Sequence, residues 1–393
     1  MSDALSIMDE WGPEKVVAVS DTRTGMRGVL VIDNTARGMG KGGTRMSPTV
    51  TTMEIARLAR VMTWKWAAVD LYYGGAKAGV VADPSGPDKE RVLRAFARAL
   101  AKEIPSEYVI GLDMGLTEQD AAIVQDELGD RGAAVGTPAS VGGLPYDQLG
   151  VTGYGVAEVA DELAARMGLP LPSSRVVVQG FGAVGRAAAK RLAELGATVV
   201  AVSSVLGALY DPNGLDVPRL LKLAAEMGDA AVKEHGGTLL DLGAELTVPA
   251  EVIVPAATQD VIGEREAREL PAKLVVEGAN LPTSVAAQRI LHDRGVTVAP
   301  DFIANAGGVV AAAFAMDCRY SGFPPAPDRV LATVSAKLRT NAALIWDESL
   351  RRGTTTHDAA RALAQERVRA AMRMKGRWPP ASQGSPGRSP HRC

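Results

Sequence analysis

The chain has 393 residues, 22% charged and 47% hydrophobic, which is about two domains' worth and too apolar for general disorder. A formal net charge of −2 supplies no polybasic field for nucleic acid or an anionic membrane surface. The longest near-apolar run, Ala306 to Met316, falls far short of a bilayer span.

No basic segment followed by an apolar stretch opens the chain at Met1-Ser2-Asp3-Ala4. The two cysteines, Cys318 and Cys393, cannot supply a disulfide framework, so a reducing cytoplasm is the expected location. His235, His292, His357 and His391 lie far apart and outside any HExxH or CxxC context. Neither a metal site nor a Ser-His-Asp triad is therefore expected.

In chain order, Val16-Val17-Ala18-Val19 and Val29-Leu30-Val31-Ile32 flank Gly25 and Gly28 and predict a β-hairpin over 15–33. Ile55, Leu58, Met62 and Val69 recur at helical spacing, so Thr51 to Leu71 reads as a helix capped by Thr51 or Thr52. A second helix is predicted from Asp88 to Lys102, and Tyr108-Val109-Ile110 reads as a short strand. From Arg175 the strands become valine runs: Val176–Val178, Thr198–Val202, Val252–Val254, Leu274–Val276 and Val296–Val298, with helical segments between them. That alternation predicts an α/β chain with two domains. The expected division is a substrate-binding and oligomerisation domain over 1–149 and a doubly wound, Rossmann-type dinucleotide-binding domain over 150–330. Helices over 331–375 are expected to return to the first domain, and a Pro/Gly/Ser-rich tail over 376–393 is expected to be disordered.

Gly180-Phe181-Gly182-Ala183-Val184-Gly185 is G-x-G-x-x-G, following a three-valine strand and opening an Ala-rich helix. In that setting the glycines allow a tight turn, close approach of backbone to a pyrophosphate, and helix packing on strand. The end of the second strand usually carries an acid for the ribose hydroxyl. Here Val202 leads into Ser203-Ser204, with no carboxylate and no adjacent Arg or Lys, so either NAD or NADP is open.

Three upstream lysines sit in unusual settings. Lys41 lies in Gly40-Lys41-Gly42-Gly43-Thr44-Arg45, Lys65 between Trp64 and Trp66, and Lys77 in the Gly74-Gly75-Ala76-Lys77-Ala78-Gly79 segment, read as a turn. Glycine lets an ammonium be walled in and desolvated, which lowers its pKa toward neutrality. Asp113 follows a strand directly, a place for a proton-transfer group or for a helix cap.

These motifs resemble the glutamate/leucine/phenylalanine/valine dehydrogenase family over roughly residues 15–375. The resemblance is carried by Lys41-Gly42-Gly43-Thr44-Arg45, Met62-Thr63-Trp64-Lys65, Gly74-Gly75-Ala76-Lys77, Asp113, Thr152-Gly153-Tyr154-Gly155, the Gly180–Gly185 fingerprint, Pro255-Ala256-Ala257, Glu277-Gly278-Ala279-Asn280 and Asn305-Ala306-Gly307-Gly308-Val309, in one order. It implies NAD(P)-dependent oxidative deamination of an L-amino acid, with a 2-oxo acid and ammonia as the other reactants, in a homo-oligomer that is usually a hexamer. It implies that Lys65 binds the α-carboxylate, Lys77 activates water and Asp113 shuttles protons. Thr152 and Asn280 would position the nicotinamide end, and Asn305 would stand at the substrate edge.

Two departures bear on specificity. Ser204 stands where many members carry an acid. Ala312, seven residues after Asn305, stands where glutamate-specific members usually carry a serine that touches the side-chain carboxylate. Lys41 matches the glutamate-specific members, so L-glutamate is the expected substrate. A leucine, valine or phenylalanine dehydrogenase is the alternative, and a catalytically silent NAD(P)-binding regulatory subunit a further one. Lys65, Lys77 and Asp113, all present, argue against the last.

Overall fold

The computed structural model describes residues 4–378. The hairpin is present as β1 (Lys15–Asp21) and β2 (Met26–Asn34), paired antiparallel. It joins three strands to form a sheet: β3 (Gly40–Met46), β4 (Gly74–Val80) and β5 (Tyr108–Leu112), in the order β1-β2-β4-β3-β5. β2 and β4 run antiparallel, whereas β4, β3 and β5 are parallel. The segment holding Lys77, expected to be a turn, is strand β4, and the segment holding Lys41 is strand β3. Glycine is normally depleted in strands. Here space demands it: a Cβ on Gly42 would lie 1.7 Å from the Ala76 carbonyl oxygen, and one on Gly75 would lie 2.0 Å from Thr63 Oγ1.

The helix pressed onto this sheet is Thr52–Ala68, with the Thr51 hydroxyl accepting from the Glu54 amide at 3.2 Å. It ends three residues before the predicted stop, at a Val69–Asp70 turn where Asp70 has φ 55°. Its inward face carries Ile55, Ala59 and Trp66, so the half-buried Lys65 is held on a rigid element. The second predicted helix spans Lys89–Ala99.

The second sheet contains β6 (Arg175–Gln179), β7 (Thr198–Ser204), β8 (Gly207–Tyr210), β9 (Thr238–Leu240), β10 (Val252–Pro255), β11 (Leu274–Val276) and β12 (Thr297–Ala299). Their order is β12-β11-β10-β6-β7-β8-β9. β12 through β7 are parallel, and β8 and β9 add antiparallel strands at one edge. Val176, Val177 and Val178 are fully buried, as expected for a parallel strand covered on both faces. Strand order reverses between β6 and β10, so the crevice beyond their C-terminal ends is the place for a ligand in such a sheet.

Two long helices follow, Pro327–Arg352 and Thr356–Met374. The first packs chiefly on Val151–Arg166 of the dinucleotide domain, where Arg339 pairs with Glu158 at 2.6 Å, rather than on the first domain as expected. Glu158 is buried and needs that countercharge. The second helix does return to the first domain and packs on Thr52–Ala68. Residues 376–378 depart from the expected disordered tail. Trp378 packs on Trp11 with centroids 4.8 Å apart, and Arg377 donates to Glu14 at 3.0 Å and to Thr35 Oγ1 at 2.8 Å. Burial of an indole between Trp11 and Arg369 holds the chain there. The rest of that tail, 379–393, lies outside the described residues.

Candidate active site

β4 and the end of β5 bring Lys77 and Asp113 together, with Nζ 3.0 Å from Oδ2. Arg45 of β3 donates from Nε to the same oxygen at 3.0 Å and reaches Glu54 Oε1 at 2.6 Å. Asp113 therefore sits between two cations. Burial alone would raise its pKa, but Lys77 and Arg45 outweigh burial and hold it below the ordinary carboxylate value. Lys77 is 6% exposed, and burial pulls its pKa down despite the carboxylate beside it. A buried amine of lowered proton affinity, in contact with an ionised carboxylate, is equipped to take and pass on a proton.

Lys41 enters the same region from β3 and is 2% exposed. Its Nζ donates to the Val109 carbonyl at 3.1 Å and lies 3.5 Å from that of Gly42. A Cβ on Gly111 would lie 2.6 Å from this nitrogen, so glycine makes the space the ammonium occupies. Burial, reinforced by the charges of Lys77 and Arg319, lowers its pKa to about 7. No carboxylate among the described residues pairs with Lys41, and an ammonium has three donors.

Lys65 crosses from the first domain to the second. Its Nζ is 3.3 Å from Asn280 Oδ1 and 3.3 Å from Asn305 Oδ1, and burial lowers its pKa. Asn305 Nδ2 donates to Asn280 Oδ1 at 2.9 Å, so the two amides and the lysine form one hydrogen-bonded unit. Thr152 opens the helix Val151–Arg166 and lies against Gly308, three residues beyond Asn305. Ala312 is half-buried in the second turn of Gly307–Cys318 and offers no polar atom.

The fingerprint glycines fit a dinucleotide. Gly180 has φ +91°, and a Cβ there would lie 2.6 Å from the Ala257 nitrogen; one on Gly185 would lie 1.8 Å from the Gly180 carbonyl oxygen. Gly182, at the N-cap of Ala183–Glu194, has nothing within 4 Å of where its Cβ would be. That open space faces the first-turn amides of Ala183, Val184 and Gly185, which have no intrahelical acceptor and suit a phosphate. Ser204 is turned inward: its hydroxyl donates to the Asp229 carbonyl at 3.1 Å and accepts from the Leu206 amide at 3.2 Å.

The chain matches the glutamate/leucine/phenylalanine/valine dehydrogenase family over residues 142–376, and the Glu/Leu/Phe/Val dehydrogenase dimerisation domain over residues 13–129. The chain belongs to this family. It is thus an amino-acid dehydrogenase dependent on a nicotinamide dinucleotide. It is similar to the NAD-specific glutamate dehydrogenase A of Halobacterium salinarum, 36% identical over 356 residues that span 88% of this chain and 81% of that protein. It is also similar to the NADP-specific glutamate dehydrogenase of Saccharolobus shibatae, 34% identical over 394 residues that span 95% and 92%. The crystal structure of hetero-hexameric glutamate dehydrogenase from Thermus thermophilus in a leucine-bound form superposes with a TM-score of 0.80 at 32% identity, covering 95% of this chain and 93% of that one. Relatives of both cofactor specificities stand at comparable identity, so kinship to this dehydrogenase does not choose between NAD and NADP.

Sequence reasoning missed several residues that shape the dehydrogenase site. Arg45 was visible only as part of a motif, yet it holds Asp113 ionised. Ser203, beside the residue singled out, accepts from the Gly180 amide at 2.9 Å and fixes the fingerprint turn. Arg319 lies fourteen residues beyond Asn305 and adds a positive charge near Lys41.

Proposed function

We propose that this dehydrogenase converts L-glutamate to 2-oxoglutarate and ammonia, and catalyses the reverse reductive amination. One observation carries the choice of substrate: Lys41 is buried among cations with two carbonyl neighbours and no carboxylate among the described residues. A buried ammonium without a countercharge is costly, and a substrate side-chain carboxylate would supply one. An aliphatic side chain would leave it unpaired.

The other groups support distinct roles. Lys65, braced by Asn280 and Asn305, is placed to hold the α-carboxylate at the junction of the two domains. When bound, the dinucleotide accepts the hydride from the substrate Cα. Lys77, in its neutral form, takes a proton from the water that adds to the resulting iminium carbon. Asp113 accepts that proton across 3.0 Å and delivers it to the departing nitrogen; Lys77, neutral again, takes the hydroxyl proton as the carbonyl forms and ammonia leaves. Arg45 keeps Asp113 aligned through this exchange. We further propose a hexameric assembly, supported by the dimerisation-domain match, by the hexameric Thermus thermophilus structure and by the outer edge of β1, which has no strand partner among the described residues.

The test is steady-state cofactor reduction with L-glutamate, L-leucine, L-valine and L-phenylalanine, each with NAD and with NADP. Glutamate should exceed the others in kcat/KM by about 100-fold, the scale of one buried charge pair. A preference for leucine or valine would overturn the substrate, and absence of turnover with every pair would overturn the catalytic reading.

A further inference from the structure

Glu277 and His357 form a buried pair outside the groups that touch substrate. Glu277 is 1% exposed and follows β11 directly; His357 is 6% exposed in the first turn of Thr356–Met374. His357 Nε2 and Glu277 Oε2 are 3.0 Å apart, and the same oxygen accepts the Asp301 amide at 2.8 Å. Glu277 Oε1 and His357 Nδ1 are both buried with no hydrogen-bond partner among the described residues. A carboxylate and an imidazole buried with open valences cost stability that an apolar pair would not. Such a buried pair calls for a role beyond packing.

What hangs from the pair indicates that role. Asp301 Oδ2 accepts the Leu281 amide at 2.8 Å, and the Asp301 carbonyl accepts the Asn305 amide at 2.8 Å. Glu277 thus fixes both segments that present Asn280 and Asn305. On the other side, the helix bearing His357 reaches the first domain. Its Arg367 donates to the Ala67 and Ala68 carbonyls, 2.8 and 2.9 Å away, at the end of the helix that carries Lys65. One helix therefore grips the asparagine segments at its start and the lysine helix further along.

We infer that the Glu277–His357 pair is a strut that sets the position of Asn280 and Asn305 against Lys65, which makes His357 a positioning residue for the reaction. The inference rests on the proposed role of Lys65 and the two asparagines. A misplacement on the order of 1 Å at reacting groups costs about 100-fold in rate.

The test uses the full chain and two kinds of readout. In His357→Leu, kcat with L-glutamate should fall about 10- to 100-fold, while the Kd of ADP-ribose, which lacks the nicotinamide and is read by calorimetry, changes less than about threefold because the fingerprint is untouched. His357→Gln keeps an N–H for Glu277 and should recover most of the kcat. The double variant His357→Leu/Glu277→Gln should be no worse than the poorer single variant, the sign of one coupled pair. Hydrogen exchange over 278–306 should quicken in His357→Leu, whether or not the wild type turns over glutamate. Lack of wild-type turnover with any amino acid defeats the functional reading and leaves exchange to judge the strut. Wild-type-like kcat together with unchanged exchange over 278–306 would overturn the strut. If His357→Leu does not fold, Glu277→Gln carries the test by the same two measurements.

Discussion

Replacing Lys41 by methionine, which matches its length without the charge, should stabilise the protein and damage its selectivity. The pKa of Lys41 falls from 10.5 to about 7, chiefly through burial. At about 1.4 kcal/mol per tenfold change in proton affinity, this is a penalty of roughly 5 kcal/mol on the folded state when the ammonium is charged. Hydrogen bonds to the Val109 and Gly42 carbonyls offset part of it. The penalty is full below pH 7, where folded and unfolded chains both hold the proton. Between about 7 and 10.5 the unfolded chain binds more proton, so wild-type stability rises with pH. Lys41→Met removes that dependence. Its advantage in urea unfolding should be about 1–3 kcal/mol near pH 6 and should shrink by roughly 2–3 kcal/mol near pH 9. At the same time kcat/KM for glutamate should fall about 100-fold and that for leucine should rise. A variant that is less stable than wild type at pH 6, with glutamate still preferred, would refute the reasoning.

Lys77→Ala should bind cofactor normally and lose at least about 100-fold in kcat, measured under saturating substrate. Because burial pulls Lys77 below the ordinary lysine range, the rising limb of kcat against pH should have its midpoint below that of a free lysine, and this limb should vanish in the variant. Asp113→Asn should lower kcat more than it raises KM, since the carboxylate is placed to move protons rather than to bind substrate. Ser204→Ala should leave the NAD to NADP ratio of kcat/KM within about threefold of wild type, because its hydroxyl is already engaged by Asp229 and Leu206. Trp378→Ala should lower stability by about 1–2 kcal/mol, seen as a fall in Tm, through loss of the half-buried indole from Trp11.

The valine strands of the second sheet and the dinucleotide turn were legible because apolar runs and G-x-G-x-x-G are local signals that burial and phosphate binding both require. The hairpin and the helix carrying Lys65 were legible for the same reason. β3 and β4 were not, since their glycines answer to Thr63 and to backbone brought close by the fold, which leaves no periodic trace. The three lysines and Asp113 stood out by setting, yet the meeting of Lys77 with Asp113 depends on the parallel register of β4, β3 and β5. The Glu277–His357 contact spans 80 residues of chain and involves a histidine with no motif around it.

The stacking of Trp378 on Trp11, with Trp64 edge-on at 5.0 Å, has a consequence for biosynthesis. Trp11 completes its packing only against a residue made far later in synthesis, Trp378. The sheet of β1 to β5 can pair early, but the Trp11 corner and the face of Thr52–Ala68 that receives Thr356–Met374 stay open until that helix and Trp378 have emerged. Domains otherwise tend to form in order of synthesis. Here the first domain waits for residues 356–378, so a nascent or truncated product that lacks them exposes an indole-rich surface, and a fusion joined directly after Trp378 would press on the seam between Trp11 and Trp378.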